Sequence, residues 1–389
     1  EPSPGLRVGV VALLGEQAWD VTPVSRRAGF RRTCSLEAAA ASAHELRKEG
    51  CAVLVGLSHT GFDRGDAELA ELGLFDVIFG GHVHCYEPFG AIPRLEVEGG
   101  RLGLVSPGFA HGGAICWARL VLDAKTHRIV RHTSGVAVVD DQYAERPDVS
   151  AMLARWRLQF DAACAETLGH VPEDLPRPEQ TPADPAPHSP VHAAVMDAIS
   201  QEMMHRAASD GGPCSFAKDE GSAPIIILNS HACSRAVPAG PITRRDLYRL
   251  IRFNGSVCLA ELSGALLAAI VRRNALYIGR ADFLHLSGIE YTIGPSTRQL
   301  TRDDIQAGAF RITAAPRIAG AGLEVERWYR CIADDYVLDT LLAGLPEREG
   351  GVRPVEGPSA GSRDLLVSFL KRGGALRCRA AAHSPLSSE

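Results

Sequence analysis

Two apolar runs that end on histidine constrain the fold more than any other feature of the chain. Val53-Leu-Val-Gly-Leu-Ser-His-Thr-Gly61 closes on His59, and Asp76-Val-Ile-Phe-Gly-Gly-His-Val-His84 closes on His82 and His84. The stretch Cys51–Leu57 is continuously apolar, which suits a strand buried on both faces, as in a parallel sheet. A short helix, Asp66–Leu72, separates it from the strand Phe75–Phe79. Strand, helix and strand in alternation predict a layered α/β domain. In a parallel sheet both strands end at the same carboxyl edge, where ligands bind. Gly80 and Gly81 let the backbone turn tightly there. Residues two apart in extended chain share a face, so His82 and His84 point the same way. Three imidazoles then converge, a donor set that suits zinc, copper, iron or nickel. A lone histidine at a strand end reads as a satisfied polar group. The Gly-Gly-His-x-His run one helix after Ser-His-x-Gly shifts the reading to a metal site. His111, in Gly108-Phe-Ala-His-Gly-Gly113, reads as a loop residue.

Around this kernel the chain divides in two. Upstream lie a strand at Leu6–Leu14 and a helix at Leu36–Glu49, with Leu36, Ala40, Ala43 and Leu46 on one face. Downstream, Arg101–Ser106, Ile115–Leu122 and Arg128–His132 read as three antiparallel strands. Ala144–Leu168 has helical periodicity through Met152, Leu153, Trp156, Phe160 and Cys164. The Pro-rich stretch from Pro172 to Pro190 reads as an extended connector. A second unit follows. Its predicted helices are Val191–Ala207, Arg244–Ile251, Gly264–Asn274 and Leu365–Lys371. Its predicted strands are Pro224–Leu228, Ser256–Leu262, Ile289–Ile293, Phe310–Thr313 and Arg327–Ile332. Ser209–Gly221 reads as a surface insertion. The boundaries that follow are 1–142, a connecting segment 143–190, and 191–389.

The bulk numbers narrow the functional classes. At 389 residues two domains are expected, and 46% hydrophobic residues exclude a disordered chain. A net charge of −5 advertises no binding to nucleic acid or anionic membrane. No apolar run is long enough to span a bilayer. The chain opens on Glu1, with no charged and apolar leader in view, so the compartment stays open. Ten cysteines occur without a Cys-x-x-Cys pair, which argues against a structural zinc or redox motif. Those in strand-like runs, such as Cys51 and Cys258, read as buried thiols.

Taken in order, Ser-His-Thr-Gly, Phe-Asp-Val-Ile-Phe-Gly-Gly-His-Val-His and Val-Ser-Pro-Gly-Phe-x-His-Gly-Gly resemble the second half of a calcineurin-like metallophosphoesterase domain. More narrowly they resemble the 5′-nucleotidase family. Further motifs agree: Asn229 to Thr243, Asp246 to Asn254, Ala260 to Leu267 and Ala281 to Tyr291 are similar to that family's C-terminal segments. The resemblance implies the C-terminal part of a four-layer αββα metallophosphoesterase sandwich, followed by a mixed α/β 5′-nucleotidase C-terminal domain. It implies a phosphoric ester hydrolase of nucleotides or nucleotide sugars, in nucleotide catabolism, with two divalent metal ions such as zinc or manganese. His59 and His82 would serve one ion and His84 the other. Asn229, Arg235, Phe253 and Tyr336 would contact the nucleotide, Phe253 by stacking on the base. Arg235 stands one residue farther from Asn229 than the family's arginine, and the loop's glycines are replaced by His231, Ala232 and Ser234. The Gly-Gly-Asp-Gly run before the family's second aromatic is absent from Ala333–Thr340.

The family's upstream ligands, in Asp-x-His, Gly-Asp and Asn-His-[Asp/Glu] motifs, do not occur before His59. Without a bridging carboxylate, two dications repel each other with nothing to offset it. The expectation is therefore an N-terminally truncated chain, inactive as it stands, with its catalytic residues upstream of Glu1. Two further readings remain beside the nucleotidase: a cyclic phosphodiesterase or sulfur-compound hydrolase on the same scaffold, and a non-catalytic nucleotide-binding relative.

Overall fold

The computed structural model describes residues 5–20, 22, 24–61, 65–82, 94–97, 101–106, 112–127, 129–178, 189–209, 223–278, 282–295 and 310–378. The chain separates into two compact units, dividing between Ala151 and Met152.

In the first unit, strands β1 (Val8–Leu14), β2 (Val53–His59), β3 (Val77–Phe79), β4 (Arg94–Val97) and β5 (Arg101–Ser106) form one sheet in the order β1-β2-β3-β5-β4. The first four in that order run parallel, and β4 pairs antiparallel with β5. Short helices α1 (Glu16–Asp20) and α2 (Val24–Arg27) precede the longer α3 (Ser35–Lys48); α4 (Gly65–Glu71) joins β2 to β3. Ala39 and Ala43 of α3 and Leu69 and Ala70 of α4 pack on Val11, Leu54, Phe75 and Ile78 in one core. Alanine on the buried face of α3 lets that helix approach the sheet closely. Asp76 fixes the register: its Oδ2 accepts from the Leu54 amide at 2.8 Å and pairs with Arg47 of α3 at 2.7 Å.

Two expectations are corrected here. Arg101–Ser106 is not in an antiparallel group with the strands after it; it extends the parallel sheet beside β3. The antiparallel pair is instead β6 (Ala114–Leu122) with β7 (Ile129–Val138), a separate two-stranded ribbon. An apolar Leu-Gly-Leu-Val run is as much at home in a parallel sheet as in a hairpin, and the sequence offered no register to choose between them. Nor is β2 buried on both faces along its whole length: Val53 and Leu54 are buried, but its outer face opens toward its end. Val8, Val10 and Leu14 of β1 and Leu57 of β2 are exposed, because α3 and α4 cover one side of the sheet only.

Helix α5 (Pro147–Cys164) is shorter than the predicted Ala144–Leu168, whose end falls in strand β8 (Thr167–Val171), and of its apolar periodic residues only Cys164 is buried. The second unit then builds on a sheet ordered β12-β9-β16-β11-β17, with β18 also on β11. Its members are β9 (Ile225–Asn229), β11 (Ser256–Ser263), β12 (Leu284–Ser287), β16 (Trp328–Asp334), β17 (Val352–Pro354) and β18 (Ala360–Gly361). Side chains alternate between two cores, as the pleat requires. Ile226, Leu228, Val257, Leu259 and Ile332 face α6 (Pro190–Ser209), α7 (Arg244–Leu250) and α9 (Ser362–Lys371). Ile225, Ile227, Ala260, Leu262 and Cys331 face α8 (Gly264–Leu276). Helices thus cover both faces. A smaller sheet joins β13 (Glu290–Pro295), β14 (Phe310–Ile318) and β15 (Ala321–Gly322), and a ribbon joins β8 (Thr167–Val171) to β10 (Gly240–Thr243). Leu168, Val171 and Leu175 are buried in the core of this unit. Among the described residues no helix is long and apolar enough to cross a membrane.

Candidate functional site

Parallel pairing of β2 with β3 sets Leu57 beside Phe79, so the two strands end together. His59 closes β2, and His82 follows β3 by three residues. Their rings lie 5.1 Å apart between centroids, edge to face at 70°. His82 has a φ of 72°, a left-handed backbone that a non-glycine residue adopts at a cost. Gly81 permits the approach: a Cβ there would stand 3.0 Å from His59 Nδ1 and 3.2 Å from the Ser58 carbonyl. His84 lies outside the described residues.

The His59 turn is braced from below by a group that sequence reading missed. Thr60 Oγ1 donates to Asp66 Oδ1 at 2.7 Å, and the Ser58 and Thr60 hydroxyls meet at 2.7 Å. The Asp66 amide donates to the Gly61 carbonyl at 3.0 Å. Asp66 is wholly buried, and its Oδ2 has no hydrogen-bond partner among the described residues. A Gly-Asp pair opening the helix after the Ser-His-Thr-Gly turn was the available signal. Two adjacent imidazoles suit one divalent transition ion, but a tetrahedral site takes four donors. Among the described residues no group of three or more potential ligands forms.

In the second unit a different sheet edge gathers polar residues. β9 and β16 run parallel and end together, while β12 and β11, antiparallel to them, begin there. Asn229 therefore stands opposite Leu284 at the start of β12, and Asp334 opposite Val257 near the start of β11. Three of the four predicted contact residues lie on this edge: Asn229 at the end of β9, Phe253 just before β11, and Tyr336 just after β16. Phe253 is 70% exposed. Tyr336 is half-buried and packs against the core beside α8. Burial, with Asp282 and Asp334 nearby, pushes the Tyr336 phenol up to about 12. Burial likewise pushes the Asp334 carboxyl up to about 6, and Asp335 beside it adds to the shift.

Arg235, the fourth, is exposed farther along the loop from Asn229. That loop is held by other groups. The Asn229 carbonyl accepts from the Ala232 amide at 3.0 Å, and Cys233 is buried. Arg177 donates from Nε to the Cys233 carbonyl at 2.8 Å and from Nη2 to the Ser230 carbonyl at 3.3 Å. Its position in Leu-Pro-Arg-Pro carried no local signal. Behind the loop His192 is 2% exposed. Ser189 Oγ donates to its Nδ1 at 2.7 Å, and its Nε2 donates to the Ser230 carbonyl at 3.3 Å. Its ring stacks on His285 at 3.8 Å. Burial, helped by the Arg177 charge, lowers the His192 pKa to about 3, so this imidazole is neutral. Burial and the same arginine also lower that of His231.

With this geometry in view, residues 169–340 match the family model of the 5′-nucleotidase C-terminal domain. The matched stretch begins on β8 and ends just past Tyr336. A curated relative, Endonuclease YhcR of Bacillus subtilis strain 168, is 25% identical over 262 residues, 64% of this chain and 19% of that protein. The chain thus spans about a fifth of that relative's length. Among solved structures, a 5′-nucleotidase precursor from Thermus thermophilus superposes with a TM-score of 0.59 at 19% identity, covering 99% of this chain and 73% of that one. The sulfate thiohydrolase SoxB of Thermus thermophilus gives 0.57 at 18%, covering 100% and 64%. The 5′-nucleotidase of Candida albicans SC5314 gives 0.51 at 13%, covering 95% and 72%. These likenesses establish a shared mixed α/β fold. The stretch that matches the 5′-nucleotidase C-terminal domain includes the whole polar edge from Asn229 to Tyr336.

Proposed function

We propose that this chain carries the nucleotide-binding side of a metal-dependent phosphoric ester hydrolase, together with imidazole ligands of its metal centre. The observation that carries the reading is Phe253. It is a large aromatic held 70% exposed at the carboxyl edge of β9 and β16, inside the stretch that matches the 5′-nucleotidase C-terminal domain. An exposed phenylalanine gains nothing for the fold, whereas a base stacked on it contributes about 1–3 kcal/mol. Tyr336 after β16 and Asn229 on β9 follow it along the same edge. Arg177 fixes the loop between Asn229 and Arg235 through the Ser230 and Cys233 carbonyls. In the first unit, His59 and His82 would hold one divalent ion, with His84 as ligand to a second. Such ions supply an activated hydroxide and neutralise charge on phosphoryl oxygens. The Asp66–Thr60 bond would keep the His59 turn in position for that ion.

A specific observation favours a second reading, nucleotide binding without catalysis. The described residues bring only two imidazoles together and no carboxylate among them. Both readings are separated by two measurements on the 389-residue chain. Calorimetric titration with AMP should show binding that weakens about tenfold or more in Phe253→Ala. An unchanged affinity would remove the base platform from both readings. Phosphate release from AMP in zinc or manganese is expected to be absent. Release that depends on metal and disappears in His82→Ala would establish catalysis in this chain and overturn the second reading.

A further inference from the structure

The loop that presents Phe253 belongs to no helix or strand, yet it is fastened on two sides. On one side the Ser256 amide donates to Asp335 Oδ1 at 3.2 Å. On the other, the loop lies against the first turn of α9. The first amides of any helix lack intrahelical acceptors and need partners from elsewhere. The residue at the cap position of α9 is Gly361, which makes no side-chain cap. The loop supplies what glycine does not. The Ser362 amide donates to the Gly255 carbonyl at 3.1 Å, and the Arg363 amide donates to Asn254 Oδ1 at 2.8 Å. Asn254 Nδ2 donates in turn to Asp364 Oδ2 at 3.2 Å, and Ser362 Oγ donates to the Phe253 carbonyl at 3.4 Å. Gly361 is required for the fit, since a Cβ there would fall 2.3 Å from Asn254 Nδ2 and 2.5 Å from Oδ1.

We infer that Asn254 is a positioning residue for the base platform: it caps α9 from outside the helix and so holds Phe253 at the sheet edge. The inference rests on the proposed nucleotide-binding role of Phe253. Asparagine is among the preferred capping side chains, and here its amide oxygen and amide nitrogen are both engaged on α9. Arg363 adds a further tie, its guanidinium lying over Tyr248 of α7 at 4.3 Å. The platform is thus anchored to two helices on one face of the sheet.

The experiment compares AMP affinity and thermal midpoint in four variants of the full chain. Asn254→Ala should weaken AMP binding by roughly fivefold or more, the scale of a lost cap, and lower the midpoint. Ser263→Ala, which removes the ordinary cap of α8, should lower the midpoint comparably and leave AMP affinity unchanged. The double variant Asn254→Ala with Gly361→Asp restores a cap within α9 itself. It should recover the midpoint and still bind AMP weakly. Recovery of affinity along with stability would show that Asn254 is only a helix cap and overturn the inference. Phe253→Ala is the fourth. If it leaves AMP binding intact, the base-platform reading fails and the inference falls with it. If it abolishes binding while Asn254→Ala does not, the inference alone is refuted.

Discussion

Burial sets the charge of His192, and the sign of its effect on stability follows. Its ring is 2% exposed, and its pKa falls from 6.5 to about 3. In the unfolded chain the imidazole takes a proton as pH drops through 6.5; in the folded chain it does not until about 3. The stability it contributes is therefore complete above 6.5 and declines as pH falls between those values. The slope is at most about 1.4 kcal/mol per pH unit. Asp334 acts with the opposite sign. Its carboxyl is raised from 3.8 to about 6, so its contribution is present below 3.8 and lost as pH rises through about 6. The two oppose each other between 3.8 and about 6, and His192 acts alone from there up to 6.5. Urea midpoints measured from about pH 7 to about pH 5 should fall less steeply for His192→Gln than for the native chain, whatever the variant's absolute stability. Equal slopes would mean that His192 takes up its proton in the fold at the same pH as in the unfolded chain.

At the scale of elements, β2 and β9 look alike in sequence and differ in surroundings. Both are short apolar runs ending in a polar residue, His59 or Asn229. β9 lies between two helical layers, with every residue buried and Ile227 fully so. β2 has helices on one side, and Leu57 is 47% exposed. Ile227→Ala should cost about 2–5 kcal/mol, while Leu57→Ala should cost less than about 1 kcal/mol. Urea unfolding monitored by hydrogen exchange in each unit checks both values. A large cost at Leu57 would show that its outer face is covered in solution. This contrast also marks what the sequence could convey. The longer helices and most strands were legible from periodicity, though not the short α1 and α2, and the His59 and His82 turns from Ser-His-x-Gly and Gly-Gly-His-x-His. Burial on the second face of a strand was not, because the covering helices lie far away in the chain. Strands β8, β10 and β12 escaped notice because each has five residues or fewer, and two of them contain glycine. Arg177 and Asn254 escaped because their partners, the Cys233 carbonyl and the Arg363 amide, are 56 and 109 residues away.

For the molecule as a whole, chemistry is distributed between units that each have their own core. The bracing contacts of His59, by way of Thr60, Asp66 and Gly61, come from the first unit. Those of the Phe253 loop, from Ser362, Arg363, Asp364 and Asp335, come from the second. Sites that share no partner behave additively, within about 0.5 kcal/mol. His82→Ala should therefore weaken zinc binding and leave AMP affinity within about twofold of the native value. Phe253→Ala should do the reverse, and the double variant should show the two losses side by side. Calorimetric titration of each ligand, alone and with the other at saturation, reads this directly. Additive behaviour would make the chain a base-binding module and a metal-binding module that recognise separate parts of a nucleotide ester. Positive coupling between zinc and AMP, lost in either single variant, would mean instead that one ligand touches the other's site. The phosphate would then already be engaged by an ion bound at His59 and His82.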